Sequence, residues 1–462
     1  MRLTYDFLIK VLPEAILLGA CKNDLFFSID SRTIVENELF VACKGGKVDG
    51  HIFLKEALMR GAGAIIALSK KHVLDEIEEK NIKNKYIIMV NDPQQALIKL
   101  AAAWRAQFTY PVVAITGSVG KTSTKTFAHF IFESMGKKAL VSQGNFNTLL
   151  GVALTIMRMN STHQAAFFEV GISKLGEMEK IAALLRPTVA LLTWIGHSHM
   201  EGLGNLAAIA AEKRGILSYL SMDNVGIING DQLLLTQVGY AHPIMKFGCK
   251  MINQIQARKI AIVGDTLSCV LKIYGEKYAV LLPFNHRGML NNVLAAVAIN
   301  YALGIAPIDI VQALKKLPVC AQRFQVCSLK NHKGVLIDDC YNASPESIKA
   351  ALVALESMKN KGKKIVVLGD MLEMGKNAPF WHRQLGRFFK KTPSVSQLIL
   401  IGSHVQHTAR AVPLGVSVAL YASWQEALEP VQSLLEDDVI VLVKGSRGMQ
   451  LQHIVSAVVQ KQ

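Results

Sequence analysis

Residues 112–126 read VVAITGSVGKTSTKT, and their order decides the fold class. Val112 to Thr116 have the content of a buried strand, Gly117 and Gly120 break it, and a helix begins near Lys121. A strand that passes through a glycine turn into a helix brings main-chain N–H groups and the positive end of the helix dipole to one point, where they meet phosphate oxygens. In such a loop Gly117, Ser118, Val119, Gly120 and Ser123 line the phosphates. Lys121 neutralises the β- and γ-phosphates of ATP, and Thr122 offers a hydroxyl to magnesium. The plainer alternative is a helix-start turn with an incidental lysine, but the strand before it and the helix after it supply the context that a phosphate loop requires. The first glycine of the usual G-x-x-x-x-G-K-[ST] pattern is missing, since Ile115 occupies its place.

Working outward, strand-like pieces alternate with helical ones along the whole chain. LFFSID, ELFVAC, GAIIAL and KYIIMV surround the helical pattern HIFLKEALMRGA between Leu25 and Val90, and Pro93 opens a further helix that ends before Thr109. Beyond the glycine turn come AAFFEVG and TVALLTWIG, separated by EMEKIAALLR; after Leu317-Pro318 the same alternation resumes through KGVLIDDCY, KKIVVLGDM, SQLILIG and DVIVLVKGS. Strands alternating with helices imply parallel sheets covered on both faces. The expected fold is therefore α/β in three domains. These are a small N-terminal domain over 1–108, a central P-loop parallel-sheet domain over 109–317, and a C-terminal Rossmann-like domain over 318–462. The length of 462 residues fits three such units.

Composition narrows the class. Half of the residues are apolar and 19% are charged, so the chain is expected to fold throughout. Asp6, Lys10 and Glu14 interrupt the apolar N-terminus, which reads as an amphipathic helix rather than an export signal, and no apolar run is long enough to span a bilayer. Seven cysteines without a Cys-x-x-Cys pair give neither a disulfide framework nor a metal-ligand spacing. A soluble cytoplasmic monomer is the expectation. Lys and Arg outnumber Asp and Glu by 51 to 35, which favours polyanionic partners. The basic residues are scattered and do not interleave with aromatics, which weighs against nucleic acid and leaves nucleotide phosphates as the better explanation.

The short form of the glycine turn, TGSVGKTSTK, resembles the Mur ligases and the folylpolyglutamate synthetases, and the resemblance to the Mur ligases extends nearly end to end. SIDSRTIVENELFVAC followed by DGH is similar to the family's UDP-binding pattern, which implies contacts from Ser31, Arg32, Lys44 and His51. QGNFNTLLG matches a substrate loop with Asn145 and Asn147. Glu169, at the end of AAFFEVG, falls where the family holds magnesium. WIGHSHMEG and its helix match a block in which His199 is associated with magnesium, Glu201 is a nearby carboxylate, and Lys213 is carbamylated and holds a second magnesium. Trp194 and Gly215 replace the usual Asn and Glu there. LPFNHRGMLNN aligns with the adenine-contacting segment; Asn292 is retained, Gly288 and Met289 stand where His and Asn are usual, and Asn291 is the neighbouring candidate. Arg323 and Asp339 are implied to reach the nucleotide. Tyr341, Asn342 and Ser344, in IDDCYNASPES, and Lys444, Ser446 and Arg447, in VLVKGSRGM, are implied to shape the second substrate's end of the site.

What the resemblance implies is an ATP-dependent amide ligase of peptidoglycan precursor synthesis, with ATP and two magnesium ions as cofactors. Lys121, His199 and Lys213 are its catalytic residues, and its partners are UDP-N-acetylmuramoyl-tripeptide and D-alanyl-D-alanine. The pattern D-D-x-Y-N-A favours that dipeptide over the third amino acid, whose enzyme carries a D-N-P-R motif not found here. Folylpolyglutamate synthesis is the sibling alternative. A P-loop ATPase acting on nucleic acid is the alternative from another class, and no basic arm or aromatic channel supports it.

Overall fold

A computed structural model of the chain describes residues 4–19, 26–46, 48–75, 77, 82, 85–359 and 361–460. The chain forms two compact units. One comprises 1–114, 137–171 and 177–188, and the other 115–136, 172–176 and 189–462.

The first unit opens differently from its sequence expectation. The N-terminal helix covers only Tyr5–Val11, with the Thr4 hydroxyl accepting the Phe7 N–H at its start, and the chain then enters a short strand, Ile16–Leu18. Pro13 explains the change, since it cannot donate to a continuing helix. This strand pairs antiparallel with Tyr86–Val90, after which Gly63–Ala67, Glu38–Val41 and Phe26–Ser28 follow in parallel order. Every residue of Glu38–Val41, Gly63–Ala67 and Tyr86–Val90 is buried, as expected for parallel strands covered on both faces. Leu54, Ala57 and Leu58 of the helix Leu54–Arg60 pack into a core with Phe40, Ile66 and Ile87.

The long helix Pro93–Arg105 starts on Asp92, whose carboxylate accepts the N–H groups of Gln94 and Gln95. Its last residue, Arg105, is buried and donates to the carbonyls of Leu185, Phe108 and Arg186 at 2.7, 2.7 and 3.0 Å. A guanidinium thus closes the carboxyl end of the helix Glu177–Leu185, where unpaired carbonyls and the negative end of the dipole favour a cation. The parallel strands Ala139–Val141 and Ala165–Glu169 belong to this same unit.

In the second unit the parallel strands Val189–Leu192, Val225–Asn229 and Ile244–Gly248 lie side by side. The expected all-parallel central sheet is corrected here. Ile255–Val263 pairs parallel with its neighbour but is followed by Thr266–Ile273 and Glu276–Leu282 in antiparallel hairpins. Thr266–Ile273 alternates strictly between buried and half-buried positions, the signature of a sheet with one face toward water. The helices Lys121–Ser134 and Arg287–Ala302 are tied by the buried Asn300, whose Nδ2 donates to the Ala128 carbonyl at 3.0 Å.

The same unit holds a six-stranded sheet in the order Gln325–Ser328, Val335–Asp338, Ile440–Lys444, Lys364–Gly369, Val395–Ile401, Ser417–Tyr421. Its first pair is antiparallel and the rest are parallel, with apolar cores on both faces. The strand order reverses around Ile440–Lys444, so the loops after Asp338, Gly369 and Lys444 open at one sheet edge, the usual place for ligands in such folds. Among the described residues no helix is long and apolar enough to cross a membrane.

Candidate functional site

In the second unit the glycine turn is fitted to its neighbours by main chain. Gly117 has φ +146°, and a Cβ there would collide with the Thr193 hydroxyl, which itself donates to the Val119 carbonyl at 2.6 Å. The Ser118 N–H donates to the Trp194 carbonyl at 2.6 Å and its hydroxyl to the Gly196 carbonyl at 2.9 Å. Gly120 has φ +87° and faces the Asn292 side chain so closely that a Cβ would strike its Oδ1. No side chain caps the helix that begins at Lys121, so its first N–H groups are left for a ligand. The Lys121 ammonium folds back onto the Gly117 carbonyl at 2.8 Å, which holds it over the turn.

Lys213, on the helix Leu206–Arg214, is fully buried, and its Nζ has no hydrogen-bond partner. Burial and the nearby Lys121 ammonium push its pKa well below the ordinary lysine value, because a second cation in a dry site disfavours the charged form. A neutral, buried amine is the form that adds carbon dioxide, so Lys213 fits the carbamate expected of it. Among the described residues no three His, Cys, Asp or Glu side chains converge as a ready metal site. A magnesium ion here would draw on phosphate oxygens and a lysine carbamate as well as on unmodified side chains.

The segment Trp194–His199 is clasped by residues that sequence reading did not single out. Gln232 accepts the Ile195 N–H at 2.7 Å and donates to its carbonyl at 2.8 Å. Glu346 accepts the His197 N–H at 3.1 Å and lies 2.6 Å from His197 Nδ1. His199 has a left-handed backbone, φ +54°, and its Nδ1 is 2.5 Å from the Glu373 carboxylate, which holds Glu373 below the usual carboxylate range. A carboxylate this close to Nδ1 restrains the orientation of the ring. The Glu201 N–H donates to the Glu373 carbonyl at 3.1 Å.

Arg323 joins the turn to the loops of the six-stranded sheet. Its Nη2 donates to Thr122 Oγ1 at 3.2 Å, and its guanidinium lies 4.0 Å from the centre of the Tyr341 ring, with Arg447 5.3 Å from the same centre. Lys444 is 1% exposed; its ammonium pairs with Asp339 at 2.7 Å and donates to the Asn342 carbonyl at 3.0 Å. It therefore braces the Asp339–Asn342 loop from beneath. Ser344 caps the helix Pro345–Ser357 in a reciprocal arrangement with Ser347, and the Ser446 hydroxyl accepts the Leu372 N–H at 2.9 Å. Asn291 is half-buried, and its Oδ1 is buried without a hydrogen-bond partner.

In the first unit Asn147 and Glu169 are brought together: Asn147 Nδ2 donates to Glu169 Oε1 at 3.1 Å, and Glu169 is 3% exposed at its strand end. Asn145 is exposed. Near the N-terminal sheet, Ser31 donates to Glu56 at 3.0 Å and Arg32 is held by Asp30 on the surface. His51 is buried rather than facing water: its Nδ1 lies 2.6 Å from Asp49, and its Nε2 accepts the Ala67 N–H at 2.9 Å. Lys44 forms an isolated bridge with Asp49, which closes this loop; Lys47 lies outside the described residues.

Comparison with known proteins agrees along most of the chain. Residues 25–105 match the model of the Mur ligase family catalytic domain, 115–300 that of the Mur ligase middle domain, and 322–447 that of the Mur ligase glutamate ligase domain. The UDP-N-acetylmuramoyl-tripeptide–D-alanyl-D-alanine ligase of Bacillus subtilis is 32% identical over 93% of this chain and 92% of its own. The Escherichia coli protein of the same name is 31% identical over 93% and 92%. A solved UDP-N-acetylmuramoylalanyl-D-glutamyl-2,6-diaminopimelate–D-alanyl-D-alanyl ligase of Acinetobacter baumannii superposes with a TM-score of 0.83 at 25% identity, covering 99% of this chain and 98% of that one.

Proposed function

Because the chain belongs to the Mur ligase family, we propose that it joins D-alanyl-D-alanine to UDP-N-acetylmuramoyl-tripeptide through an acyl phosphate. The coarser statement, an ATP-dependent Mur-type ligase of peptidoglycan synthesis, rests on the family models and the relatives together. The observation that carries the finer reading is the Arg323 side chain, which touches Thr122 beside the glycine turn and covers Tyr341 in the loop assigned to the dipeptide. A nucleotide site and an acceptor loop one side chain apart suit a reaction in which a phosphoryl group activates what the acceptor then attacks. An isolated ATPase has no need of that proximity.

In this reading the chain works as three domains, 1–108 for the UDP-linked precursor, 109–317 for ATP and 318–462 for the dipeptide. A carboxylate oxygen of the tripeptide attacks the γ-phosphorus, and ADP leaves. Lys121 and the uncapped helix start hold the negative charge on the transferring group. The amine of D-alanyl-D-alanine then attacks the acyl carbon, inorganic phosphate leaves, and the amine gives up a proton as the amide forms. Tyr341, Asn342, Ser344, Ser446 and Arg447 line the dipeptide end, and Lys444 sets their loop. Ser31, Arg32, Lys44, His51, Asn145 and Asn147 serve the UDP-linked precursor. Magnesium, when bound, supplies positive charge beside the phosphates; Thr122, Glu169, His199 and a carbamylated Lys213 are the residues that would hold it.

The test is product formation from ATP, UDP-muramoyl-tripeptide and D-alanyl-D-alanine, read by mass spectrometry. Wild type is expected to release one ADP per pentapeptide precursor, and Lys121→Ala is expected to make neither. Pentapeptide formation by Lys121→Ala at the wild-type rate, or ATP turnover indifferent to both peptide substrates, defeats the reading.

A further inference from the structure

Ser344 and Ser347 satisfy the first turn of the helix Pro345–Ser357 reciprocally, which leaves the side chain of Glu346, between them in sequence, free to reach elsewhere. It reaches the wall beside the glycine turn. Glu346 Oε1 accepts the His197 N–H at 3.1 Å and lies 2.6 Å from Nδ1 of the same histidine. The carboxylate also lies against Gly196: a Cβ there would fall 2.9 Å from its Cδ and 3.0 Å from its Oε2, so a side chain at 196 would displace it. The Gly196 carbonyl in turn accepts the hydroxyl of Ser118, a residue of the glycine turn. One carboxylate therefore joins the peptide that flanks the phosphate turn to the helix that starts where Tyr341, Asn342 and Ser344 end. Trp381 holds the His197 ring as well, with centroids 4.1 Å apart. A glutamate in the first turn of a helix suits the dipole wherever it points. The dipole does not account for Oε2, which is buried without a hydrogen-bond partner among the described residues. Such an atom destabilises a fold, so its placement calls for a reason other than stability.

We infer that Glu346 is a positioning residue that couples occupancy of the phosphate turn to occupancy of the dipeptide loop. The inference rests on the proposed function for the identity of the two ligands and adds a route between their sites. A nucleotide on the glycine turn fixes Ser118 and, through it, the Gly196–His197 peptide. A dipeptide on the Tyr341–Ser344 loop fixes the helix start and, through it, Glu346. Each ligand orders one half of a contact that the other also uses, so the second to bind has less to order and binds more tightly. The effect is the same in either order of binding, by linkage. Arg323 also spans the two places, from Thr122 to Tyr341, but it is itself assigned to the nucleotide. Glu346 is assigned to neither ligand, so it can be removed without taking a ligand contact away.

The test is a binding cycle on the full chain. ADP is titrated calorimetrically into protein saturated with UDP-muramoyl-tripeptide, with and without saturating D-alanyl-D-alanine; ADP has no γ-phosphate to transfer, so no ligation follows. In the wild type the dipeptide is expected to lower the Kd of ADP by about tenfold, within the usual range of coupling between sites. In Glu346→Ala the ratio of the two Kd values is expected to fall to within about twofold of unity, while the Kd without dipeptide stays within about threefold of wild type. Glu346→Gln keeps an oxygen for the His197 N–H and is expected to retain most of the coupling. His197→Ala keeps the N–H but loses the ring, and is expected to fall between the two. A residue with a merely structural role would lower the urea midpoint and raise both Kd values together, leaving their ratio as in the wild type. That result overturns the inference, as does an absence of coupling in the wild type. Failure of the wild-type protein to bind ADP at all would instead count against the proposed function itself.

Discussion

Replacing Lys444 by methionine should cost the second unit far more than a surface charge would. The ammonium is 1% exposed and the Asp339 side chain 11%, their separation is 2.7 Å, and the same Nζ donates to the carbonyls of Asp339 and Asn342 at 3.3 and 3.0 Å. Burial lowers the Lys444 pKa while Asp339 opposes that shift, so the pair survives in a dry place by mutual compensation. Removing the cation leaves a buried carboxylate with the Phe324 N–H, at 3.3 Å, as its remaining hydrogen bond among the described residues. An uncompensated buried partner costs about 3–5 kcal/mol, and Asp339→Asn should cost about 3 kcal/mol through the stranded ammonium. In Lys444→Met/Asp339→Asn both charges are gone and what is lost is the bracing of the loop, about 1–2 kcal/mol. Urea unfolding of the four proteins, followed by far-ultraviolet circular dichroism with the m-value checked for constancy, gives the double-mutant cycle directly. A double variant whose loss equals the sum of the single losses would refute the idea that these charges are held by one another.

Three further outcomes follow from other sites. His286 has a folded pKa of about 4 against 6.5 for a free imidazole; the unfolded chain thus takes up its proton first, and this contribution is intact above about pH 6.5 and lost as pH falls toward 4. After allowance for the ring's partial exposure it amounts to about 2 kcal/mol, and His286→Asn should show a correspondingly flatter acid limb in urea midpoints. His51→Ala strands the Ala67 N–H and loosens Asp49, which should cost about 1–3 kcal/mol in chemical denaturation and raise the KM for the UDP-linked precursor. Lys213→Met removes a buried amine without a hydrogen-bond partner, so it should abolish ligation while leaving unfolding free energy unchanged or higher; bicarbonate should raise the activity of the wild type and leave the variant inert.

The alternation of strands and helices is legible because parallel strands buried on both faces are nearly uninterrupted apolar runs, as in Lys364–Gly369 and Ile440–Lys444. The antiparallel hairpins over 255–282 are absent from the sequence expectation although their alternation is visible, with Gly264-Asp265 and Tyr274-Gly275 marking the turns. The N-terminal strand is hidden by an apolar run that Pro13 divides. At the site, the glycine turn can be read because its chemistry is contiguous in sequence. Gln232, Glu346 and Glu373 cannot, since each acts on a segment far away along the chain and looks like any polar residue of a loop or helix start. Asp370 shows the converse: its prominent LGDM setting serves the backbone, accepting the N–H groups of Ser403, His404 and Val405.

The wall beside the glycine turn is built from the carbonyl oxygens of Trp194 and Gly196, groups that every amino acid carries. Substitution at position 194 therefore leaves the acceptors of the turn in place so long as the Gln232 clasp holds the peptide at Ile195. A change of side chain in this wall leaves its acceptors where they are, whereas a tilt of a peptide plane would remove them, and so the indole of Trp194 can differ freely while its carbonyl cannot move.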